Sequence, residues 1–155
     1  MVQRQKGFSL IELMIVVFLL GILAALSTNL GSFFANNQAP SYASSLQTAL
    51  ALAKSEAVKY KQQVIFRPTG NTWESGWQVY RLNAGVEELV KEFPALPDTM
   101  TMTSKDFTKA NPPTFLQTGI LTKAGTFTLS AQNAKVGANR EVKILISGQV
   151  QITRF

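Results

Sequence analysis

Residues 3–26 read QRQKGFSLIELMIVVFLLGILAAL. Arg4 and Lys6 open the stretch, Glu12 stands just inside it, and the next charged side chain is Lys54. From Phe8 to Leu30 the chain holds 23 residues of which only Glu12 is charged, and about 20 apolar residues suffice for a helix to cross the hydrocarbon core of a bilayer. Basic residues just before such a segment keep the N-terminus in the cytoplasm and send the remainder across. The reading is therefore a membrane-spanning helix over 8–30, with every residue after it on the far side.

Glu12 constrains what kind of segment this is, because a carboxylate at membrane depth costs a few kcal/mol unless it finds a partner. A secretory signal peptide cut near Ala25-Leu26-Ser27 fits the basic start and apolar centre, and a permanent single-span anchor fits the length; neither gives Glu12 a partner. Cleavage between Gly7 and Phe8 does. It frees an α-amino group four residues before Glu12, a cation of the right sign at similar depth, which pairs within one chain or between neighbouring helices. The second arrangement fixes an axial stagger, as a buried polar residue fixes register in a coiled coil.

The stretch KGFSLIELMIVVFLLGILAAL resembles the class III signal of type IV prepilins and type II secretion pseudopilins: a short basic leader ending in Gly, then Phe, then Glu four residues on. The resemblance implies that a membrane-embedded prepilin peptidase cuts after Gly7 and methylates the amine of Phe8. It also implies that Glu12 aids docking of the subunit and that the helix from Phe8 becomes filament core. Implied partners are other pilin or pseudopilin subunits, the peptidase and an inner-membrane assembly platform. The protein is then stored in the inner membrane as a single-pass subunit with a periplasmic body before entering a pilus or pseudopilus. Members of the family commonly carry Pro near the position of Asn29; here the candidate helix-loosening residues are Gly31 and Pro40.

With 155 residues there is room for an appendage and one modest domain. The expected division is a leader, 1–7, the apolar helix, 8–30, and a body, 31–155. Setting aside Arg4 and Lys6, 13 basic side chains stand against 9 acidic ones, a mild excess rather than one of nucleic-acid scale. The chain has no Cys and no His, which removes a disulfide framework, the commonest zinc ligands and the usual acid–base side chain. No Gly-x-Ser-x-Gly elbow or Gly-rich phosphate loop is present. The expectation is a non-enzymatic chain without cofactor or metal, any work of extrusion coming from a separate ATPase.

Beyond the neck the pattern turns amphipathic. Tyr42, Leu46, Leu50, Ala53, Ala57 and Tyr60 form one helical face, opposite Gln47, Lys54, Ser55, Lys59 and Lys61. A helix over 41–61 is predicted, with Pro40 kinking it or breaking it from the apolar half. Glu56 reads as an i, i+3 partner of Lys59. After Gln63 the chain reads as β: VIFR and GWQVYRL form a hairpin across PTGNTWES, with Trp77 and Tyr80 packing in a sheet. GILTKAGTFTLSA suggests a second pair folding at Ala124-Gly125. REVKILISGQVQITRF is a hairpin turning at Ser147-Gly148, with Val142, Ile144 and Ile146 alternating before it and Val150 and Ile152 after. The segment from Phe93 to Phe115 reads as a loop with a short strand near Thr99–Thr103. Glu87, Glu88 and Glu92 suggest a solvated edge rather than a calcium site. The fold class is α+β, a long N-terminal helix, half membrane-spanning and half amphipathic, packed on an antiparallel sheet body.

Two further stretches, Leu50-Ala51-Leu52-Ala53-Lys54-Ser55-Glu56-Ala57 and Gly76-Trp77-Gln78-Val79-Tyr80, resemble the GspH/FimT/FimU branch of the pilin superfamily. That resemblance implies a minor pilin that primes or joins a type IV pilus, at its tip, or alternatively a type II secretion minor pseudopilin. A third alternative is DNA capture for natural transformation, implied by the FimT group. Lys123, Lys135, Arg140, Lys143 and Arg154 are the candidate contacts, since phosphate binding needs clustered cations. The DNA-binding relatives resemble one another in a Gly-Arg-x-Arg tail. Here Gly148-Gln149-Val150-Gln151 stands there, so both arginines are missing and a solvated basic surface is the plain alternative.

Overall fold

A computed structural model describes residues 8–155, and for 26–34 the backbone alone. The chain divides into two compact units, Met1–Phe34 and Ala35–Phe155.

One helix, α1, runs Leu10–Tyr60. Within the first unit its large apolar side chains from Leu10 to Leu23 are all exposed. Within the second unit Ala39, Ala43, Leu46, Ala49, Leu50, Ala53 and Ala57 are buried, a stripe stepping by three and four, as a helical face against a core must. The helix continues through Pro40 without a break. The missing N–H costs one backbone hydrogen bond, but Ala39 and Ala43 on either side are fully buried and hold that turn to the body.

Eight strands follow: β1 (Gln63–Pro68), β2 (Trp77–Asn83), β3 (Val86–Phe93), β4 (Met100–Thr103), β5 (Thr114–Phe115), β6 (Gly125–Ala131), β7 (Arg140–Ile144) and β8 (Val150–Arg154). They form two antiparallel four-stranded sheets, β3-β2-β1-β5 and β4-β6-β7-β8. Inward residues alternate along the central strands: Val64 and Phe66 on β1, Phe127 and Leu129 on β6, Val142 and Ile144 on β7. These share one core with the helical stripe. Trp73, in a short 3₁₀ turn after β1, ties the sheets together. Its ring stacks on Phe66 at 5.5 Å and meets Phe127 edge-on at 4.8 Å, while its indole N–H donates to the Phe107 carbonyl at 3.1 Å.

The β1–β2 hairpin forms in the expected place, Phe66 opposite Val79. The β7–β8 hairpin also forms, but β7 stops at Ile144 and Ile146 lies exposed in the turn. Leu145 N–H donates to the Gln149 carbonyl and Gly148 N–H to that of Leu145, with Gly148 at φ +73°. This is a type I turn closed by a left-handed glycine, which takes three residues rather than two. The pair expected around Ala124-Gly125 does not form. Gly119 turns the chain so that Leu121 bridges Phe115 instead, and β6 starts at Gly125, where Phe107 and Asp106 crowd too closely for a side chain.

Candidate functional site

The N-terminal region is organised by Ser9. Its hydroxyl accepts from Glu12 N–H at 3.2 Å, and its carbonyl accepts from Leu13 N–H at 3.2 Å. Ser9 is thus the N-cap of α1, and Ser9-Leu10-Ile11-Glu12 has the spacing of a capping box. Glu12 falls in the first helical turn, where the helix dipole favours a carboxylate. Phe8 lies just before the cap, exposed; Gly7 lies outside the described residues. In the sequence Glu12 is a charge needing a cation and, by resemblance, an aid to docking. The Ser-x-x-Glu spacing was the signal that it also sits at the start of a helix.

Of the five late cations, Arg140 and Arg154 stand side by side. Arg140 is opposite Arg154 across β7 and β8, on the side of Val142 and Ile144, while Lys143 alternates onto the other side with Glu141. One nitrogen of Arg140 donates to the carbonyls of Gly137, Ala138 and Asn139 at 2.8–2.9 Å, so this guanidinium closes the loop before its own strand. Burial, and then the charge of Arg154, lower its affinity for a proton. Lys123 donates to the Asp106 carbonyl at 3.3 Å, and Lys135 is exposed in the β6–β7 loop, its backbone N–H donating to Asn36 Oδ1 at 2.8 Å.

The acidic strand β3, whose sequence shows no clear alternation, pairs with β2 through Ala84-Gly85, both at positive φ. Two of its three carboxylates, Glu87 and Glu88, are engaged. Glu87 grips Arg67 with both oxygens. Arg81 is held by Glu88 at 2.7 Å and by Glu56 at 3.3 Å, and it lies 4.0 Å over the ring of Tyr60. Glu56 therefore bonds across to the sheet rather than to Lys59, and Tyr60 is exposed beneath an arginine rather than in the buried stripe. Among the described residues no acidic group is arranged to hold a metal ion.

Sequence reasoning could not find one further feature. A groove of about 670 Å³ runs between α1 and the β7–β8 turn, lined mainly by apolar surface of Ala51, Ser55, Val58, Gly148 and Val150.

A long N-terminal helix whose inner half packs on two antiparallel sheets is the fold of the type IV pilin-like proteins. Residues 42–149 match the family described as type II transport protein GspH, and residues 2–28 match the prokaryotic N-terminal methylation motif. The chain belongs to the GspH family and is a minor pilin or pseudopilin of the GspH/FimU type. Among solved structures, the type IV minor pilin FimU of Pseudomonas aeruginosa is similar at 25% identity and a TM-score of 0.63, over 77% of this chain and 91% of that one. The minor pseudopilin EpsH from the type 2 secretion system of Vibrio cholerae shares the fold at 14% identity and a TM-score of 0.61, over 76% of this chain and 97% of that one. No curated protein matches the chain in sequence.

Proposed function

We propose that this chain is a minor pilin made as a precursor, cut after Gly7 and methylated on the amine of Phe8. It then primes or joins a type IV pilus, with its body presented at the tip. The observation that carries the reading is the coincidence, at one point of the chain, of the Gly7–Phe8 junction, the helix cap at Ser9 and the start of an exposed apolar helical surface. A new amine at Phe8 lies next to that cap, and Glu12 in the first turn supplies the carboxylate for it or for the amine of an adjacent subunit. The exposed surface from Leu10 to Leu23 needs an apolar environment, which the bilayer supplies before assembly and neighbouring helices supply after it. Among the described residues no helix is long and apolar enough to cross a membrane; the side chains of 26–30, the end of the proposed span, lie outside the described residues. The likeness to FimU supports the pilus over the secretion system. DNA capture is less well supported, since Arg140 is committed to loop carbonyls and Lys143 faces away from Arg154.

The test is intact mass and N-terminal sequencing of the protein recovered from a host with a prepilin peptidase. A chain beginning at N-methylated Phe8 is expected, and a chain beginning near Thr28, or uncut at Met1, overturns the proposal.

A further inference from the structure

Four strands lie at sheet edges, and one of them stands apart. On β4 the inward Met100 and Met102 are buried. Strand β5 is two residues long, and its Phe115 bridges Leu121. On β3 Val90 and Phe93 pack on the core, and Glu87 and Glu88 are taken up by Arg67 and Arg81. The inward positions of β8 are Val150, Ile152 and Arg154, opposite Ile144, Val142 and Arg140. Ile144 and Val142 are fully buried, yet Val150 is only half-buried and Ile152 is 38% exposed. The inner face of this sheet is covered as far as β7 and wet at β8.

What leaves β8 wet is the groove beside it. Across from Val150, α1 presents Ala51 and Ser55, and Gly148 lies at the turn; residues with so little side chain leave the space that a covering group would occupy. Lys54 Nζ donates to the Ser147 carbonyl at 2.8 Å and ties the turn to the helix. The backbone of the edge is open as well. Leu145 N–H donates to Gln149 C=O, so that pair is hydrogen-bonded. By antiparallel alternation the backbone groups of Gln151 and Thr153 face β7, and those of Val150, Ile152 and Arg154 face outward. The surroundings are cationic: Lys54 and Lys59 line the groove, Arg154 ends the strand beside Arg140, and among the described residues no acidic side chain lines the groove and none of these four cations pairs with a carboxylate.

We infer that β8 accepts an extended segment of a partner protein, which adds to the sheet as a further strand, lays alternate apolar side chains over Ala51, Ser55 and Val150, and carries Asp or Glu at its ends against Lys59 and Arg154. Backbone hydrogen bonds to Val150, Ile152 and Arg154 hold such a strand, the groove selects an apolar residue at every second position, and the cations select its charge. A helix laid in the groove leaves the outward N–H and C=O groups of β8 unpaired. The edge strands of a second copy do not have this chemistry: β4 and β8 carry no acidic residue, β5 is too short, and β3 keeps only Glu92 outside its ion pairs, next to Lys91. The occupant is therefore a different polypeptide. The inference concerns the body alone and holds whether or not Phe8 is processed.

The test is selection of short random peptides, displayed as a library, on the full-length chain in lipid nanodiscs, kept free of detergent that competes for apolar grooves. Recovered peptides are expected to alternate apolar and polar residues with Asp or Glu toward the ends, and a labelled synthetic copy to bind in fluorescence anisotropy. Ala51→Trp fills the groove from an exposed helix position, and Ile152→Pro removes an outward N–H without touching a bond to β7. Each is expected to weaken binding several-fold with the thermal midpoint near that of the parent. Lys59→Glu combined with Arg154→Glu is expected to exchange the preference, so that a lysine-ended version of the peptide binds several-fold better than the acid-ended one, a gain that a misfolded chain does not give. A library without consensus, a consensus of helical period, binding undiminished in Ala51→Trp and Ile152→Pro, an unchanged charge preference, or self-association of the chain that excludes the peptide would each overturn the inference.

Discussion

Arg81 shows how a single side chain joins helix to sheet. Its guanidinium lies over Tyr60, reaches Glu56 on α1 and pairs with Glu88 on β3, so three elements meet on one cation. Exposed ion pairs contribute little singly, but a network with fixed geometry contributes more. Glu88 feels it directly: hydrogen bonds from Arg81 and Asn83 hold its carboxyl below the usual glutamate range. A carboxylate with a lowered folded-state pKa adds stability that is fully present above the ordinary glutamate range and is lost as pH falls through the lowered value. The Glu88→Gln chain is therefore expected to be less stable than the parent near neutrality and to approach it in acid. Urea midpoints measured at a series of pH values check this, and a constant difference across the series would remove Glu88 from the network.

The alanine stripe of α1 sets the distance between helix and sheets. Ala49, Ala53 and Ala57 have no exposed surface, so the backbone lies close to the core and no side chain there has room to grow. Ala53→Leu is expected to cost about 1–3 kcal/mol through overpacking, seen as a lowered thermal midpoint, whereas Ala51→Leu, on the exposed groove side, leaves it nearly unchanged. Equal shifts in the two variants would mean that the helix is free to move off the sheets. Elements of this kind were legible where burial and periodicity agree. The helical face, the β1–β2 hairpin and the β7–β8 hairpin all pair a clear alternation with turn residues. Strand β3 was not legible, because both faces of VEELVKEF are largely wet and its turn uses Ala84 at positive φ in place of the Asn-Gly that announces such turns. Leu96 and Phe107 are buried within a Pro- and Thr-rich segment that reads as loop, since what buries them is contact with distant strands. The candidate site divides the same way. Phe8 and Glu12 are readable from local spacing, while the groove joins residues 47–59 to 148–150, a juxtaposition only the fold creates.

At the scale of the molecule, the chain is an apolar first unit followed by a body that carries nearly all the charge. The large side chains from Leu10 to Leu23 are 43–79% exposed, so this unit is stable in water only when something apolar covers it. Arg4 and Lys6, by the rule that basic flanks stay in the cytoplasm, predict that a membrane-stored chain holds its body on the opposite side. Val136 is a suitable reporter: it is 104% exposed in the β6–β7 loop, so Val136→Cys disturbs no packing and introduces the sole thiol of the chain. In intact spheroplasts a membrane-impermeant maleimide is expected to label this cysteine as fully as it does after lysis. In a host without prepilin peptidase, where residues 1–7 are kept, a cysteine at Gln3, on the basic side, is expected to label only after lysis. Reversal of the two patterns would place the body in the cytoplasm, and labelling of both positions before lysis would mean that the first unit does not span the bilayer.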